Sequence, residues 1–144
     1  MGKKRIVKKS GNSMDSGLKS RALAKVSRRK IESGVLHVQA TFNNTKILLS
    51  DPQGNTVAWS SSGALGFSGA KKGTPFAAAK VGELVGDKAI QMGMKEAEVI
   101  IRGVGAGRES ALRGFSGKGI VLTRIADETP TPHNGPRPPK PRRI

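Results

Sequence analysis

The chain has 144 residues, a formal net charge of +16 at pH 7 and no cysteine. This length suffices for one domain with a hydrophobic core plus extensions, and the missing cysteines exclude disulfides, thiolate zinc sites and cysteine nucleophiles. No apolar run approaches the length of a membrane span, and the amino terminus has no apolar segment, so we expect neither a membrane helix nor a secretory signal. The chain has two histidines, too few for a histidine-rich metal site, and we expect no metal and no cofactor.

The charge is concentrated at the two ends of the chain. Residues 1–30 hold eleven Lys/Arg against one Asp, residues 31–129 hold eleven against nine Asp/Glu, and residues 130–144 hold four against none. This division predicts a basic N-terminal arm (1–30), a nearly neutral domain (31–129) and a basic C-terminal arm (130–144). Cationic arms on a neutral domain are typical of proteins that bind a polyanion, most often nucleic acid. The arms lack the apolar face of an interfacial helix, so a membrane is not the expected partner.

The N-terminal arm is expected to be irregular, with a weak indication of a short helix over Leu18–Val26. It ends in the cationic run Arg28, Arg29 and Lys30, which we take as candidate RNA contacts. Arms with this density of charge usually become ordered on their polyanion. The alternative interpretation is a solvated tail.

Three antiparallel strands are predicted at the start of the domain. Leu36, Val38, Ala40 and Phe42 alternate with polar residues, which indicates a half-buried strand. Turn residues at 43–44 and 51–55 predict a second strand over Lys46–Ser50 and a third over Thr56–Ser60. His37 falls on the polar face, where it is either a surface residue or an RNA contact.

A loop of small residues, 61–73, precedes the main predicted helix. Thr74 suits the N-cap, Pro75 the first helical position and Gly93 the stop after Met92. Its apolar stripe is expected to pack on a sheet and consists of Ala78, Val81, Val85, Ala89 and Met92. Lys71, Lys72 and Gly73 lie just before the helix and are candidate phosphate contacts, with a solvated loop as the alternative.

The second half predicts a strand over Glu98–Arg102, a glycine loop over Gly103–Gly107, a short helix over Arg108–Gly114 and a strand over Ile120–Ile125. The resulting order is β-β-β-α-β-α-β. Because strands joined through a helix tend to be parallel, this order predicts an α/β layered fold with a mixed five-stranded sheet.

The glycine loop admits three interpretations. A strand, a glycine-rich turn and a helix resemble a dinucleotide site, with Asp127 twenty residues beyond Gly107, so a nucleotide-dependent enzyme using Gly103–Gly107 is the alternative function. The G-x-G-x-x-G fingerprint fails, however, because Arg108 or Ser110 occupies the third glycine position. Backbone amides at Gly105 and Gly107 beside Arg108 would equally seat a phosphate of RNA. The third interpretation is a tight structural turn. Since no nucleophile–base arrangement stands out, we expect no catalytic residue and no enzyme.

Six of the eight prolines fall in residues 130–144, together with Arg137, Lys140, Arg142 and Arg143. Proline excludes helix and central strand, so we expect an extended, polyproline-like arm. A solubilising tail and a P-x-x-P-x-R ligand for an SH3-type groove are the alternatives. The pair Asn134-Gly135 is also a candidate for deamidation or isoaspartate formation, because glycine does not hinder succinimide closure.

Three segments together carry a resemblance: KKGTPFAAA (71–79), IRGVGAGRESALRG (101–114) and IADETPTPHNGPRPPKPRR (125–143). In this order they resemble the small-subunit ribosomal protein eleven family of the bacterial type, the universal protein of the subunit's platform. The resemblance covers about residues 30–144. It implies a ribonuclease-H-like αβ fold without enzymatic activity, bound to small-subunit ribosomal RNA. Pro136 departs from the cysteine that bacterial members commonly have there.

The resemblance also implies partners and contacts. The site would be the platform near the messenger-RNA exit region, with messenger RNA there as a partner. Ribosomal proteins six, eighteen and twenty-one would be neighbours, and seven would lie across the cleft. The arm around His133, Asn134 and Arg137 would thread into RNA, and the loops at Lys71-Lys72 and Gly105–Arg108 would face RNA. Arg113 lies in the second matching segment and is also a candidate RNA contact. The expected location is the cytoplasmic ribosome, with an organelle that makes its own ribosomes as the other option.

We expect recognition of RNA by shape rather than by base stacking. The chain has few aromatic residues, and all but Phe67 fall in predicted helices or strands. The five are Phe42, Trp59, Phe67, Phe76 and Phe115.

Overall fold

The computed structural model describes residues 16–24 and 29–143. A short helix, α1 (Ser16–Ala24), precedes five strands and two longer helices in this part of the chain. These elements are β1 (Ser33–Ala40), β2 (Thr45–Ser50), β3 (Thr56–Ser61), α2 (Pro75–Gln91), β4 (Glu96–Gly103), α3 (Gly107–Ser116) and β5 (Val121–Asp127). The order after α1 is the predicted β-β-β-α-β-α-β, which confirms the α/β class.

The five strands form one mixed sheet in the order β3-β2-β1-β4-β5. The three strands joined by tight turns pair antiparallel, β1 with β2 and β2 with β3. The two pairs whose connection includes a helix are parallel, β1 with β4 and β4 with β5. This agrees with the general rule that a parallel pair needs a long crossover.

The helices α2 and α3 cover one face of the sheet, and the core lies between the two layers. Alternate residues of β1 and β2, among them Leu36, Val38 and Ile47, point into it and are fully buried. Phe115 of α3 is the largest fully buried side chain and fills the space beside α2. The period of two along the strands therefore decides which side chains stabilise the fold and which remain available on the other face.

The prediction for α2 is confirmed at both ends. The Thr74 hydroxyl accepts a hydrogen bond from the Ala77 amide at 3.4 Å, and Pro75 follows at the first helical position. Gly93, just beyond the helix, has φ of 82°, a left-handed conformation that favours glycine. The predicted apolar stripe is buried along its whole length.

Several predicted boundaries were wrong. β1 ends at Ala40 instead of continuing to Phe42, because the Thr41 amide bonds the Asn44 carbonyl at 2.9 Å and turns the chain. β5 begins one residue later and ends two residues later than predicted. β4 and α3 are longer than predicted at both ends. The predicted irregular arm contains α1, and the predicted extension of this helix to Val26 falls outside the described residues.

Among residues 16–24 and 29–143, no helix combines the length and the apolar character needed to cross a bilayer.

Candidate nucleic-acid interface

The parallel strands β1, β4 and β5 end at the same edge of the sheet. Ala40 pairs with Gly103, and Ile101 pairs with Asp127, so these ends are in register. The loops at this edge are 41–44, 69–74, 104–106 and 128–130, and we call them together the carboxyl edge. Both α2 and α3 begin here, so the edge also carries the positive ends of two helix dipoles. In open α/β sheets this is the usual position of a binding site.

The Lys71–Gly73 loop is held firmly at the carboxyl edge. It forms a short 3₁₀ turn before Thr74, whose hydroxyl donates to the Lys71 carbonyl at 2.7 Å. A Cβ atom added to Gly73 would lie 2.1 Å from the Phe42 carbonyl oxygen, so only glycine allows this approach. Lys71 is exposed and Lys72 half-buried. The loop therefore presents its cations from a fixed backbone.

The glycine loop, like the Lys71–Gly73 loop, lies against residues 41–44. The Gly105 amide donates to the Ala40 carbonyl at 3.0 Å, and a Cβ added at Gly105 would lie 2.2 Å from the Thr41 carbonyl oxygen. Gly107 begins α3, and no side chain caps the first turn of this helix. The two predicted glycine–cation loops are thus brought together, since each packs against residues 41–44.

Arg108 has a different environment from the one expected for a free phosphate contact. Its guanidinium donates to the Gly103 carbonyl, to the Asp127 carboxylate and, at 3.2 Å, to the Thr129 hydroxyl. Thr129 in turn donates to Asp127 through its amide at 3.0 Å and its hydroxyl at 2.6 Å. We call Arg108, Asp127 and Thr129 the arm-root clamp, because they join the start of α3 to the beginning of the C-terminal arm.

The clamp also affects the pKa of Asp127. Hydrogen bonds from the Thr129 side chain, and then from Arg108, lower the pKa of Asp127 to about 2. The carboxylate is therefore charged at neutral pH and forms an ion pair with Arg108. Asp127 is also the residue that would bind the ribose in a dinucleotide site, and here its carboxylate accepts hydrogen bonds from Arg108 and Thr129.

The C-terminal arm leaves the carboxyl edge directly after the clamp. Residues 130–143 contain neither helix nor strand and are exposed throughout. Asn134 has φ of 58°, a left-handed conformation that asparagine tolerates better than most residues. The arm also carries His133 and four exposed cations, which form no ion pair with the described part of the chain: Arg137, Lys140, Arg142 and Arg143.

The remaining predicted contacts do not join this group. Arg113 lies on α3, is 78% exposed and pairs with Glu109 one turn earlier. Arg29 and Lys30 precede β1 at the opposite edge of the sheet, beside residues 51–53. Arg28 lies outside the described residues.

Of the five aromatic residues, four lie where the sequence predicted and one, Phe42, does not. Phe42 lies in the turn after β1 and is 77% exposed, while Trp59 on β3 is 61% exposed. Phe67, expected in a loop, packs against the core and meets Phe76 edge-on with ring centroids 6.1 Å apart. Large aromatic surface is therefore available to a partner.

Thr129 was missed as a structural residue by the sequence reading. The spacing of Asp127 and Thr129, in which a carboxylate receives the amide two residues later, is a local pattern that could have identified it. The described residues include no cluster of three or more His, Asp or Glu side chains placed to hold a metal ion.

A comparison with protein families identifies the family of the chain. The family model described as ribosomal protein S11 matches residues 34–143, from the beginning of β1 into the C-terminal arm. Members of this family are small-subunit ribosomal proteins that function in translation as parts of a ribonucleoprotein. The match covers well over half of the chain, and the protein therefore belongs to the ribosomal protein S11 family.

Proposed function

We propose that this protein is a structural constituent of the small ribosomal subunit that binds small-subunit ribosomal RNA through its carboxyl edge and its C-terminal arm. The observation that carries the proposal is the convergence of the Lys71–Gly73 loop, the glycine loop and the root of the cationic arm at one edge of the sheet. Glycine at both loops lets their backbones pack against residues 41–44, which brings the two loops to the same edge. The protein acts by position and charge, and no step of chemistry is required of it.

In this proposal the domain and the C-terminal arm have different roles. The domain is nearly neutral and supplies a rigid edge, while the exposed cations of the arm neutralise phosphates and release counterions. Following the family resemblance, the site is the platform near the messenger-RNA exit region. Ribosomal proteins six, eighteen and twenty-one are then its neighbours, seven lies across the cleft, and the location is the ribosome of a cytoplasm or an organelle.

The proposal is tested with a transcript of the central domain of small-subunit ribosomal RNA. The double variant Lys71→Ala, Lys72→Ala should bind this transcript several-fold more weakly than the native protein in filter binding at fixed salt, because two phosphate contacts are removed. Lys95→Ala is the matched control, since Lys95 is an exposed cation just before β4, at the opposite edge of the sheet. Equal weakening by the control and the double variant would contradict the assignment of the carboxyl edge.

A second experiment tests the ribosomal assignment itself. The protein should sediment with small subunits, and not with large subunits, after a wash at moderate salt. Recovery in the ribosome-free supernatant at every salt concentration would contradict the proposal.

A further inference from the structure

The face of the sheet opposite α2 and α3 is not covered by any helix of the described residues. On this face, which we call the open face, the outward side chains of β1 to β4 form two parallel rows that run across the strands. Neighbouring strands in a sheet lie about 4.8 Å apart, so each row is a ladder of evenly spaced side chains. The rows differ in chemistry.

The first row is mostly apolar. Trp59 pairs with Leu48, Leu48 pairs with His37, and His37 pairs with Ile100. The indole at the end of the row is 61% exposed, while the other three side chains are half-buried. Such a strip presents a ring and supporting apolar surface to a flat ligand.

The second row is polar and lies two residues nearer the carboxyl edge. Lys46 pairs with Gln39, and Gln39 pairs with Arg102, and all three are exposed. The two rows enclose a groove of about 410 Å³ whose lining includes both cations and no carboxylate. Arg102 bonds Glu128 at 2.8 Å, outside this lining, in a pair exposed enough to exchange partners.

We propose that the open face binds a single-stranded segment of RNA, with an unpaired base stacked on Trp59 and the backbone phosphates on Lys46 and Arg102. The inference rests on the proposed function, because it assumes an RNA environment, but it adds a second surface that recognises bases. Aromatic side chains on a sheet beside cations are a common platform for unpaired bases.

The charge of the groove favours RNA over a protein partner. An apolar peptide laid on the Trp59 row would cover Lys46 without supplying an anionic partner, which is costly. A nucleotide satisfies both rows at once, since its base is apolar on its faces and its phosphate is anionic. His37 suits this arrangement, because burial and the nearby Arg102 lower its pKa, so its ring is neutral at pH 7 and its Nε2 contacts the Ser50 hydroxyl at 3.2 Å.

Trp59 is the sole tryptophan of the chain, so its fluorescence reports on this surface alone. The full-length protein is titrated with an unstructured ten-nucleotide RNA and with an abasic oligomer of the same length. Both carry the same phosphates and bind the cationic arms, but only the first has bases. We expect saturable quenching of Trp59 by the RNA and little change with the abasic oligomer. Equal quenching by both, or by neither, would overturn the proposal.

Variants at Trp59 separate stacking from general attraction. Trp59→Leu should weaken binding of a dye-labelled decamer about tenfold, measured by anisotropy, whereas Trp59→Phe should keep most of the affinity. Ile125→Ala is the control, because Ile125 is an exposed apolar residue on β5, away from the groove. Circular dichroism melting identifies any variant that fails to fold. If Trp59→Leu folds and binds the decamer as well as the native protein does, the open face does not stack bases.

The outcome is separable from that of the proposed function. The Lys71→Ala, Lys72→Ala variant should lose affinity for the structured transcript and keep the quenching of Trp59 by the decamer. Quenching without any binding of the transcript would contradict the ribosomal-RNA proposal alone. In intact small subunits, Trp59 should be shielded from iodide until nuclease digestion. Shielding that survives complete digestion would indicate a protein partner and overturn the inference.

Discussion

The Arg108 guanidinium, in the first turn of α3, donates to the Asp127 carboxylate at the end of β5, nineteen residues later in the chain. This contact links the second parallel crossover of the fold to the segment that leads into the C-terminal arm. Thr129 completes it by donating to the same carboxylate. The direction in which the arm leaves the domain is thereby determined by the domain itself.

Acid should weaken this linkage in a defined range of pH. The pKa of Asp127 is lowered from 3.8 to about 2, so its ionised form stabilises the folded state at pH values above about 4, and this contribution is lost as the pH falls toward 2. Asp127→Asn should be less stable than the native protein at pH 6 and should show a smaller loss of stability between pH 4 and pH 2. Urea unfolding at several pH values measures both effects.

The control for this prediction is Glu96→Gln, because Glu96 is an exposed carboxylate at the other edge of the sheet. Its pH dependence should follow that of the native protein. An Asp127→Asn curve parallel to the native curve between pH 4 and pH 2 would show that the clamp contributes nothing to stability.

Thr74 joins the stability of α2 to the position of the lysine loop. Its hydroxyl accepts from the Ala77 amide and donates to the Lys71 carbonyl. Thr74→Ala should lower the free energy of unfolding by about 1 kcal/mol, as for other lost N-caps. Thr74→Ser retains the hydroxyl and should remain close to the native protein in the same urea titration. Equal losses for both substitutions would assign the effect to the methyl group instead of the cap.

Removal of residues 136–144 tests the role of the arm. These residues contain four cations, and each phosphate they neutralise contributes about 0.7–0.9 to the slope of log K against log salt concentration. The truncated protein should show a slope smaller by roughly 3–4 on folded ribosomal RNA. The native slope is measured in parallel on the same transcript. An unchanged slope would show that the arm makes no phosphate contacts.

Asn134 should be the position of the chain most susceptible to isoaspartate formation. It is exposed, precedes glycine and lies outside helix and strand, so the backbone is free to approach succinimide geometry. Peptide mapping after incubation at pH 8 should find isoaspartate at this position first. Gly135→Ala should slow its appearance several-fold, and a similar rate in the variant would contradict the steric explanation.

The ends of α2 could be predicted because the sequence itself carries the stop and start signals. Thr74, Pro75 and Gly93 act locally, each through its own backbone or the next turn. The end of β1 could not be predicted in this way, since apolar alternation continues to Phe42. The strand ends where the Thr41 amide finds a partner in Asn44, and that choice depends on the pairing of two strands.

Some parts of the candidate site could likewise be predicted from the sequence, and others could not. The positions of the two glycine–cation loops before α2 and α3 could be predicted, because helix start signals act locally. That these loops bind an anion stays a prediction. The arm-root clamp could not be predicted, since the contact of Arg108 with Asp127 requires β5 to be placed beside β4. The exposure of Trp59 was also hidden, because alternation along β3 does not reveal which face the helices cover.

The arm-root clamp limits how far from the domain the C-terminal arm can reach. Fourteen residues from Pro130 to Arg143 follow the clamp, and at about 3.1 Å per residue an extended polyproline chain of this length reaches about 40 Å. Once the carboxyl edge is bound to RNA, the tip of the arm can reach only a hemisphere of that radius. Its effective concentration near a second RNA contact is then set by the length of the arm and does not depend on the concentration of free protein. The second contact is then an intramolecular event, and its rate depends on where Thr129 is held.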